Sequence, residues 1–143
     1  MEERDQHIKS ILKREEGFVS HVYQDHLGYW TIGYGKMVDK RKGGGITEEQ
    51  ALRIMMDDVD TIEDELDRQI DWFWELDPVR QAVLVCMAYQ MGVPGLLRFR
   101  NTLLNIKAGN YAQAAKGMRA SLWAQQTPGR AERMAKAMET GEL

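Results

Sequence analysis

The segment from residue 5 to residue 34 changes its hydrophobic period at a single glycine, Gly17. Residues 5–16 carry apolar side chains at helical spacing, and a glycine directly after them is a typical left-handed helix stop. Residues 18–25 and 29–34 are instead rich in Val, Tyr, Trp and Phe and are separated by a turn, which predicts the two strands of a hairpin. A chain with this pattern must combine helices with a small antiparallel sheet.

Two carboxylates and a threonine occur at this junction in the order Glu-x8-Asp-x5-Thr, at Glu16, Asp25 and Thr31. Glu16 falls on the last turn of the predicted helix, and the hairpin brings Asp25 and Thr31 onto adjacent segments. Hydrolysis of a sugar–sugar bond needs one carboxyl group to protonate the leaving oxygen and another to activate water or stabilise the cationic sugar. Each residue taken alone has a simpler interpretation. Glu16 could be a surface charge, Asp25 could form an Asx-turn, and Thr31 could be an ordinary strand residue.

Longer helices are predicted after residue 46. A capping box at residues 47–50 opens an amphipathic helix that extends to about residue 68 or 70. Asp77-Pro78 is a cap followed by a first-turn proline, and it opens the next helix. Residues 79–88 are apolar almost all round, which is typical of a helix buried on every side.

The remaining segments read as shorter helices and one loop. Residues 36–45 form a basic loop that ends in glycines. Asn101-Thr102 is read as the cap of a helix that ends at Gly109, and Asn110 begins another helix toward Trp123. Thr127-Pro128 is read as the cap and first turn of the last helix.

The triad and four later segments follow the order of one known family. The later segments are Asp77–Arg80, Met87–Gly92, Phe99–Leu103 and Trp123–Arg133. In these residues the chain resembles the phage-type lysozymes, the peptidoglycan-cutting endolysins of tailed phages, from about residue 8 to the C-terminus.

The resemblance implies an α+β fold with two lobes, formed by a single lysozyme domain over residues 1–143. Residues 15–46 would form a small lobe with a short antiparallel sheet, and residues 47–71 the connecting helix. Residues 72–143 would form the helical lobe, packed with the N-terminal helix. Longer family members carry further strand and helix where this chain has residues 36–45.

The resemblance also assigns the chemistry, which is hydrolysis of the β-1,4 bond between N-acetylmuramic acid and N-acetylglucosamine. Glu16 would be the general acid, and Asp25 and Thr31 would position and activate water, or Asp25 would stabilise the cationic sugar. An inverting outcome is implied, for which the two carboxyl groups stand about 6.5–9.5 Å apart.

Six further positions are candidates for substrate binding. Gln90 and Gln126 could donate or accept hydrogen bonds in the cleft, and a surface or helix-capping role is an equal alternative for both. Arg130 matches a basic residue of the family near the general acid. Gly117 falls where the family can place a polar side chain. Two departures from the family are Lys36, where a histidine is usual, and the shortened segment 36–45, which removes part of one cleft wall. The six candidates are Met37, Tyr89, Gln90, Thr102, Gln126 and Arg130.

Charge and composition limit the other classes of function. The net charge of −3 argues against nucleic acid as a partner, because phosphate binding usually needs a basic face. Acidic residues concentrate in 57–77 and basic ones in 98–136. The three histidines have no cysteine beside them, so we expect no metal site, and no cofactor motif is apparent. The single cysteine, Cys86, reads as a buried small hydrophobe.

Targeting features are not evident in the sequence. No apolar stretch reaches the length of a membrane span, and the charged N-terminus lacks the hydrophobic segment of a signal peptide. We therefore expect a protein without stable membrane insertion, made in the host cytoplasm, and the family resemblance implies a monomer. A phage endolysin of this kind would act on periplasmic peptidoglycan during host lysis, after a separate membrane-perforating protein releases it.

Three alternatives stay open. A catalytically silent peptidoglycan-binding module could keep the fold, but it would not need the intact triad. A lytic transglycosylase would cleave the same bond with one acid/base and without Asp25 and Thr31. A bacterial wall-acting homologue would share the chemistry of an endolysin.

Overall fold

Seven α-helices and three short strands make up the described part of the chain. The structure is a computed structural model that describes residues 2–17, 19–24, 30–33, 36–37 and 47–143, the strands by their backbone. A single 3-10 turn, Phe73–Glu75, lies between α2 and α3. The elements are α1 (Glu2–Glu16), β1 (Val19–Gln24), β2 (Trp30–Gly33), β3 (Lys36–Met37), α2 (Glu48–Gln69), α3 (Pro78–Leu97), α4 (Arg100–Lys107), α5 (Tyr111–Arg119), α6 (Leu122–Gln126) and α7 (Pro128–Thr140).

The chain divides into two units. The smaller unit comprises residues 9–61, and the larger unit comprises residues 1–8 and 62–143. Both divisions fall within a helix, after Ile8 in α1 and after Thr61 in α2. The lobe boundaries expected from the sequence stay a prediction.

The smaller unit contains an antiparallel sheet with strand order β1-β2-β3. Val19 pairs with Gly33 and Gln24 with Trp30, with an irregularity in register between them. The third strand is only two residues long and lies in the segment that was expected to be a loop. Phe18 and residues 25–29, where the hairpin turn is predicted, lie outside the described residues.

The predicted α+β class is corrected by these bounds. Helices hold most of the described residues, whereas strand is confined to three segments of six, four and two residues. The described chain is therefore mainly α-helical. The prediction gave too much weight to one hairpin pattern, because the helical period governs nearly all of the sequence after residue 46.

The capping box at the start of α2 is confirmed. The Thr47 hydroxyl accepts a hydrogen bond from the Gln50 backbone N–H at 3.1 Å, and the Gln50 side chain accepts one from the Thr47 N–H at 2.9 Å. This reciprocal pair satisfies two of the N–H groups left open at a helix start. Within the smaller unit, Lys13 of α1 also lies 3.6 Å from the Glu48 carboxylate.

Helix α3 is the buried helix of the larger unit, as its all-apolar sequence predicts. Every residue from 81 to 88 is buried. The Asp77 carboxylate caps the helix by accepting from the Arg80 N–H at 3.1 Å, and Pro78 occupies the first turn. The helix breaks at Gly92, whose φ of 80° is open to glycine at little cost.

Arg80 ties the start of α3 to the end of α7. Its guanidinium donates to the Met138 and Glu139 carbonyls, at 2.7 and 3.0 Å, and to Asp77 at 3.0 Å. It also stacks on the Tyr111 ring, 3.5 Å from the centroid. A cation at the carboxyl end of a helix satisfies open carbonyls and complements the helix dipole.

The boundaries of the short helices differ from the prediction. Helix α4 begins one residue before Asn101, with Phe99 as its cap residue. The single helix expected from Asn110 to Trp123 is two helices, because Ser121 interrupts it and caps α6 by accepting from the Ala124 N–H at 3.2 Å. Thr127 is the cap residue of α7 and Pro128 lies in the first turn, as predicted, but the Thr127 side chain makes no capping hydrogen bond; its hydroxyl donates to the Trp123 carbonyl at 3.2 Å.

Within the described ranges, no single helix is long and apolar enough to cross a membrane. Helices α3 and α4 pass such a test only as a pair bent by 103°, by length and composition alone.

Candidate functional site

Glu16 stands at the last position of α1, as the sequence predicts. The Gly17 N–H donates to the Lys13 carbonyl at 3.2 Å, and Gly17 has a φ of +68°. This left-handed residue ends the helix, since a side chain at that position would carry a steric cost. Glu16 itself is partly exposed.

The neighbouring carboxylate is Glu15. Its side chain is only 5% exposed and accepts a hydrogen bond from the Arg14 Nε at 2.9 Å. Glu15 and Glu16 are both half-buried residues of the last turn of α1. Because it is a second carboxylate in the same turn, Glu15 is a natural control for any role of Glu16.

The sheet brings two predicted site residues into register. Thr31 lies on the central strand β2, opposite Tyr23 of β1 and Met37 of β3. Directly opposed residues of an antiparallel pair are close neighbours. Asp25 follows β1 at once but lies outside the described residues, so the predicted pairing of Asp25 with Thr31 and its distance from Glu16 stay predictions.

Gln90 has a structural duty in the larger unit. Its side-chain oxygen accepts a hydrogen bond from the Trp123 indole N–H at 2.9 Å. Trp123 is buried and meets Phe99 edge-on, with 6.0 Å between ring centroids. A buried indole N–H needs such a partner. Gln90 is half-buried and so is its neighbour Tyr89, both on α3.

Thr102 is packed against Gly117, where α4 approaches α5. Thr102 is 7% exposed, and a Cβ built on Gly117 would stand 2.8 Å from its hydroxyl oxygen. Only glycine allows this approach without a shift of Thr102. The family's polar side chain at position 117 is therefore replaced here by a close contact of two helices.

The last two candidates lie near the junction of α6 and α7. Gln126 is the exposed final residue of α6, and Arg130 is a half-buried residue of the first turns of α7. Both belong to the larger unit, whereas Glu16 belongs to the smaller one. The predicted proximity of Arg130 to the general acid stays a prediction.

A buried ion pair in the larger unit was not foreseen. Arg4 and Glu63 are 4% and 7% exposed, and their side chains lie 2.6 Å apart. The Arg4 guanidinium also lies 4.9 Å from the centre of the Trp74 ring and donates to Gln81 at 3.4 Å. The sequence held one signal: Glu63 follows Val59 by four residues and precedes Leu66 by three, which places it on the buried face of α2.

Among the described residues, no three His, Cys, Asp or Glu side chains come together in a way that could hold a metal ion.

Comparison with known proteins identifies the family. Residues 13–137 match the model of the family described as phage lysozyme. The chain belongs to that family. The match spans Glu16, Asp25 and Thr31 together with all six candidate contact residues.

Individual relatives vary in length. The chain is 30% identical over 162 residues to the probable T4-type lysozyme 1 of Dictyostelium discoideum, covering 95% of each protein. It is 34% identical over 165 residues to the pre-baseplate central spike protein Gp5 of Enterobacteria phage T4, covering 95% of this chain but 28% of that protein. It is 33% identical over 130 residues to the peptidoglycan hydrolase gp36 of Pseudomonas phage phiKMV, covering 89% of this chain and 14% of that protein.

Proposed function

We propose that this chain is a muramidase that hydrolyses the β-1,4 bond between N-acetylmuramic acid and N-acetylglucosamine in peptidoglycan. The observation that carries the proposal is the placement of Glu16. It is a partly exposed residue at the end of α1, where left-handed Gly17 ends the helix, and it precedes the small sheet whose central strand β2 carries Thr31. Membership of the phage lysozyme family and the similarity to a protein named peptidoglycan hydrolase support the same substrate.

In the proposed reaction, Glu16 gives its proton to the glycosidic oxygen as the bond to the muramic acid carbon breaks. Asp25 takes a proton from a water molecule, which attacks that carbon from the opposite face, and Thr31 helps to hold the water. One water is consumed, and each cleavage leaves one new reducing end. Attack from the opposite face inverts the anomeric configuration.

The proposed context is the lysis of a bacterial host by a phage. The enzyme would be made in the host cytoplasm, act as a monomer and reach the periplasmic wall after a membrane-perforating protein opens the inner membrane. The similarity to a baseplate spike protein favours a second context. The same chemistry can serve within a larger phage assembly that locally opens the wall.

Product analysis tests the reaction. Purified peptidoglycan is digested in water enriched in oxygen-18, and the fragments are separated and weighed. Hydrolysis places one heavy oxygen at each new reducing end. A lytic transglycosylase would release anhydro products one water lighter and without the label. Absence of fragments from any wall tested, with retained binding to it, would instead indicate a silent binding module.

The stereochemistry is tested on the same reaction. Proton NMR of the first products, recorded before mutarotation, is expected to show the α-anomer that inversion of a β-linkage produces. A β-anomer as the first product would contradict the role of Asp25 as a general base toward water and favour a covalent intermediate.

A further inference from the structure

The buried ion pair of Arg4 and Glu63 joins the first turn of α1 to α2. The two side chains lie 2.6 Å apart, and both residues are almost inaccessible to solvent. Arg4 precedes residue 13, where the match to the family model begins, so the family assigns it no role. Burying two charges is costly, and an apolar pair of similar volume is often at least as stable. The presence of the pair therefore calls for an explanation other than stability.

Directional contacts from three elements of the larger unit hold the Arg4 side chain. Besides its contact with Glu63 of α2, the guanidinium donates to the Gln81 side chain of α3 at 3.4 Å. It also lies over the ring of Trp74 in the 3-10 turn, 4.9 Å from the centroid. Gln81 is held in turn, because its amide donates to the Leu76 carbonyl at 2.9 Å. The position of the Arg4 side chain is therefore defined from three sides.

Helix α1 carries Arg4 near one end and Glu16 at the other. The helix is unbroken and contains no glycine or proline, so a rotation of its first turn also rotates its last turn. At about 100° per residue, Glu15 stands about 20° from Arg4 around the helix axis, whereas Glu16 stands about 120° away. The Glu15 side chain is accordingly only 5% exposed. The rotation of α1 thus decides which of the two carboxyl groups shares the buried face with Arg4.

Apolar packing alone defines this rotation only loosely. The face of Arg4 also carries three buried apolar residues, which are Ile8, Ile11 and Leu12. They are spread over an arc of about 100°, and contacts between apolar side chains have no preferred direction. An arginine that is paired with a carboxylate and donates a hydrogen bond does have one. Setting register is the best-attested use of a buried polar group.

We propose that Arg4 and Glu63 are positioning residues for the proposed catalytic acid. Their contact fixes the rotation of α1 so that Glu16, and not Glu15, is presented to the substrate. The inference rests on the proposed function, because it concerns the placement of its general acid. Without the pair the helix stays folded, but its last turn is placed less precisely. Misplacement of a reacting group by about 1 Å can cost about 10²-fold in rate.

An apolar replacement of the pair tests the proposal without leaving a buried charge. Arg4→Met with Glu63→Leu is expected to melt at or above the wild-type temperature. With soluble, uncrosslinked peptidoglycan strands as substrate, its kcat should fall about tenfold, while KM should change less than about twofold. Arg4→Lys should recover part of this loss, since it keeps a cation for Glu63. The control is Arg119→Gln with Glu132→Gln, which removes an ion pair at exposed positions and should change neither constant.

Thiol protection reports the rotation of α1 independently of activity. Glu15→Cys is introduced into the wild type and into the apolar double variant, and the rate of modification by a thiol reagent is measured. The new cysteine should be protected in the wild-type background and react about tenfold faster in the double variant. The native Cys86, which is 6% exposed on α3, is the internal control and should stay equally protected in both.

Three results would overturn the proposal. The first is a wild-type kcat in the folded double variant, and the second is unchanged protection of the cysteine at position 15. The third is a double variant that melts well below the wild type or exposes Cys86, because the pair would then be an ordinary stabilising contact. Failure of the proposed function looks different. The wild type and Glu16→Gln would then be equally inactive, while the thiol rates would still report the rotation.

Discussion

The two units of the chain carry different parts of the proposed chemistry. The three predicted catalytic residues lie in the smaller unit, within a stretch of sixteen positions from Glu16 to Thr31. Five of the six predicted contact residues lie in the larger unit, spread from Tyr89 to Arg130. Catalytic residues that follow one another within a short stretch can be proposed from their order in the sequence. Substrate contacts contributed by four different helices can be proposed only from the family resemblance.

The larger unit also shows that a predicted contact residue can have a structural task. Gln90 satisfies the Trp123 indole, and Thr102 is buried against Gly117. Substitutions there are therefore expected to affect stability and substrate binding together. Substitutions of the triad are expected to affect the rate alone.

The largest expected effect is on catalysis in the smaller unit. Asp25→Asn should lower the rate of peptidoglycan hydrolysis about 10²–10⁴-fold, because a general base toward water is lost. The melting temperature should change little. Asp57→Asn, at an exposed position of α2, is the control and should retain full rate. If Asp25→Asn were fully active, Asp25 would have no role in the mechanism. The proposed division of catalysis and substrate binding between the two units would then be wrong.

The next effect is on the stability of the larger unit. Arg80→Ala removes hydrogen bonds to two carbonyls at the end of α7 and to Asp77, and it should lower the free energy of unfolding by about 2–4 kcal/mol. Arg80→Lys should recover part of this loss, since lysine keeps the charge but not the planar fork. Urea denaturation measures both, with exposed Arg98→Ala as the control. Equal stability of Arg80→Ala and wild type would refute the role of Arg80.

A smaller effect concerns the contact between α4 and α5. Gly117→Ala should destabilise the wild type by about 1 kcal/mol, because the new Cβ meets the hydroxyl of a stiff, β-branched residue. In a Thr102→Ala background the same change should stabilise by about 0.5–1 kcal/mol, since alanine is the better helix former. A double-mutant cycle measures the coupling. Additive effects would show that Thr102 moves away freely.

The smallest effect is a pH dependence on the surface of the larger unit. Arg119 donates to Glu132 at 2.9 Å, and this hydrogen bond holds the pKa of the Glu132 carboxyl below its ordinary value of 4.5. A lowered pKa in the folded state adds stability at higher pH, and that contribution disappears as the pH falls through the folded-state pKa. The wild type should therefore melt at a higher temperature than Glu132→Gln at pH 6–7. This difference in melting temperature should become smaller below about pH 4.5.

The matched carboxylate for that experiment is Glu75, which is exposed and forms no ion pair with another described residue. The difference between wild type and Glu75→Gln should vary less with pH. An identical pH profile for both variants would contradict a specific contribution of the Arg119 pair.

Local signals in the sequence predicted several elements correctly. The left-handed Gly17, the Thr47 capping box and the Asp77-Pro78 start of α3 each depend on residues within one turn of each other. Caps and breakers act locally, so they can be read without the fold. The burial of α3 was predicted equally well, because a helix that is buried on every side has no polar stripe in its sequence.

Errors arose where distant contacts decide the outcome. Thr127 is the cap residue of α7, but its hydroxyl donates to the Trp123 carbonyl and does not accept from a backbone N–H of α7. The buried pair of Arg4 and Glu63 was not predicted, because its two members are fifty-nine positions apart in the sequence. The predicted fold class was also wrong. It gave one hairpin of short strands too much weight in a described chain that is mainly helical.

The central claim is that Glu16, and not its neighbour, is the catalytic acid. The most direct test compares the turbidity loss of purified peptidoglycan with wild type, Glu16→Gln and Glu15→Gln, after circular dichroism has shown that all three are folded. We predict clearing by the wild type and by Glu15→Gln, and a loss of about 10²–10⁴-fold in Glu16→Gln. Clearing by folded Glu16→Gln at the wild-type rate would contradict the account.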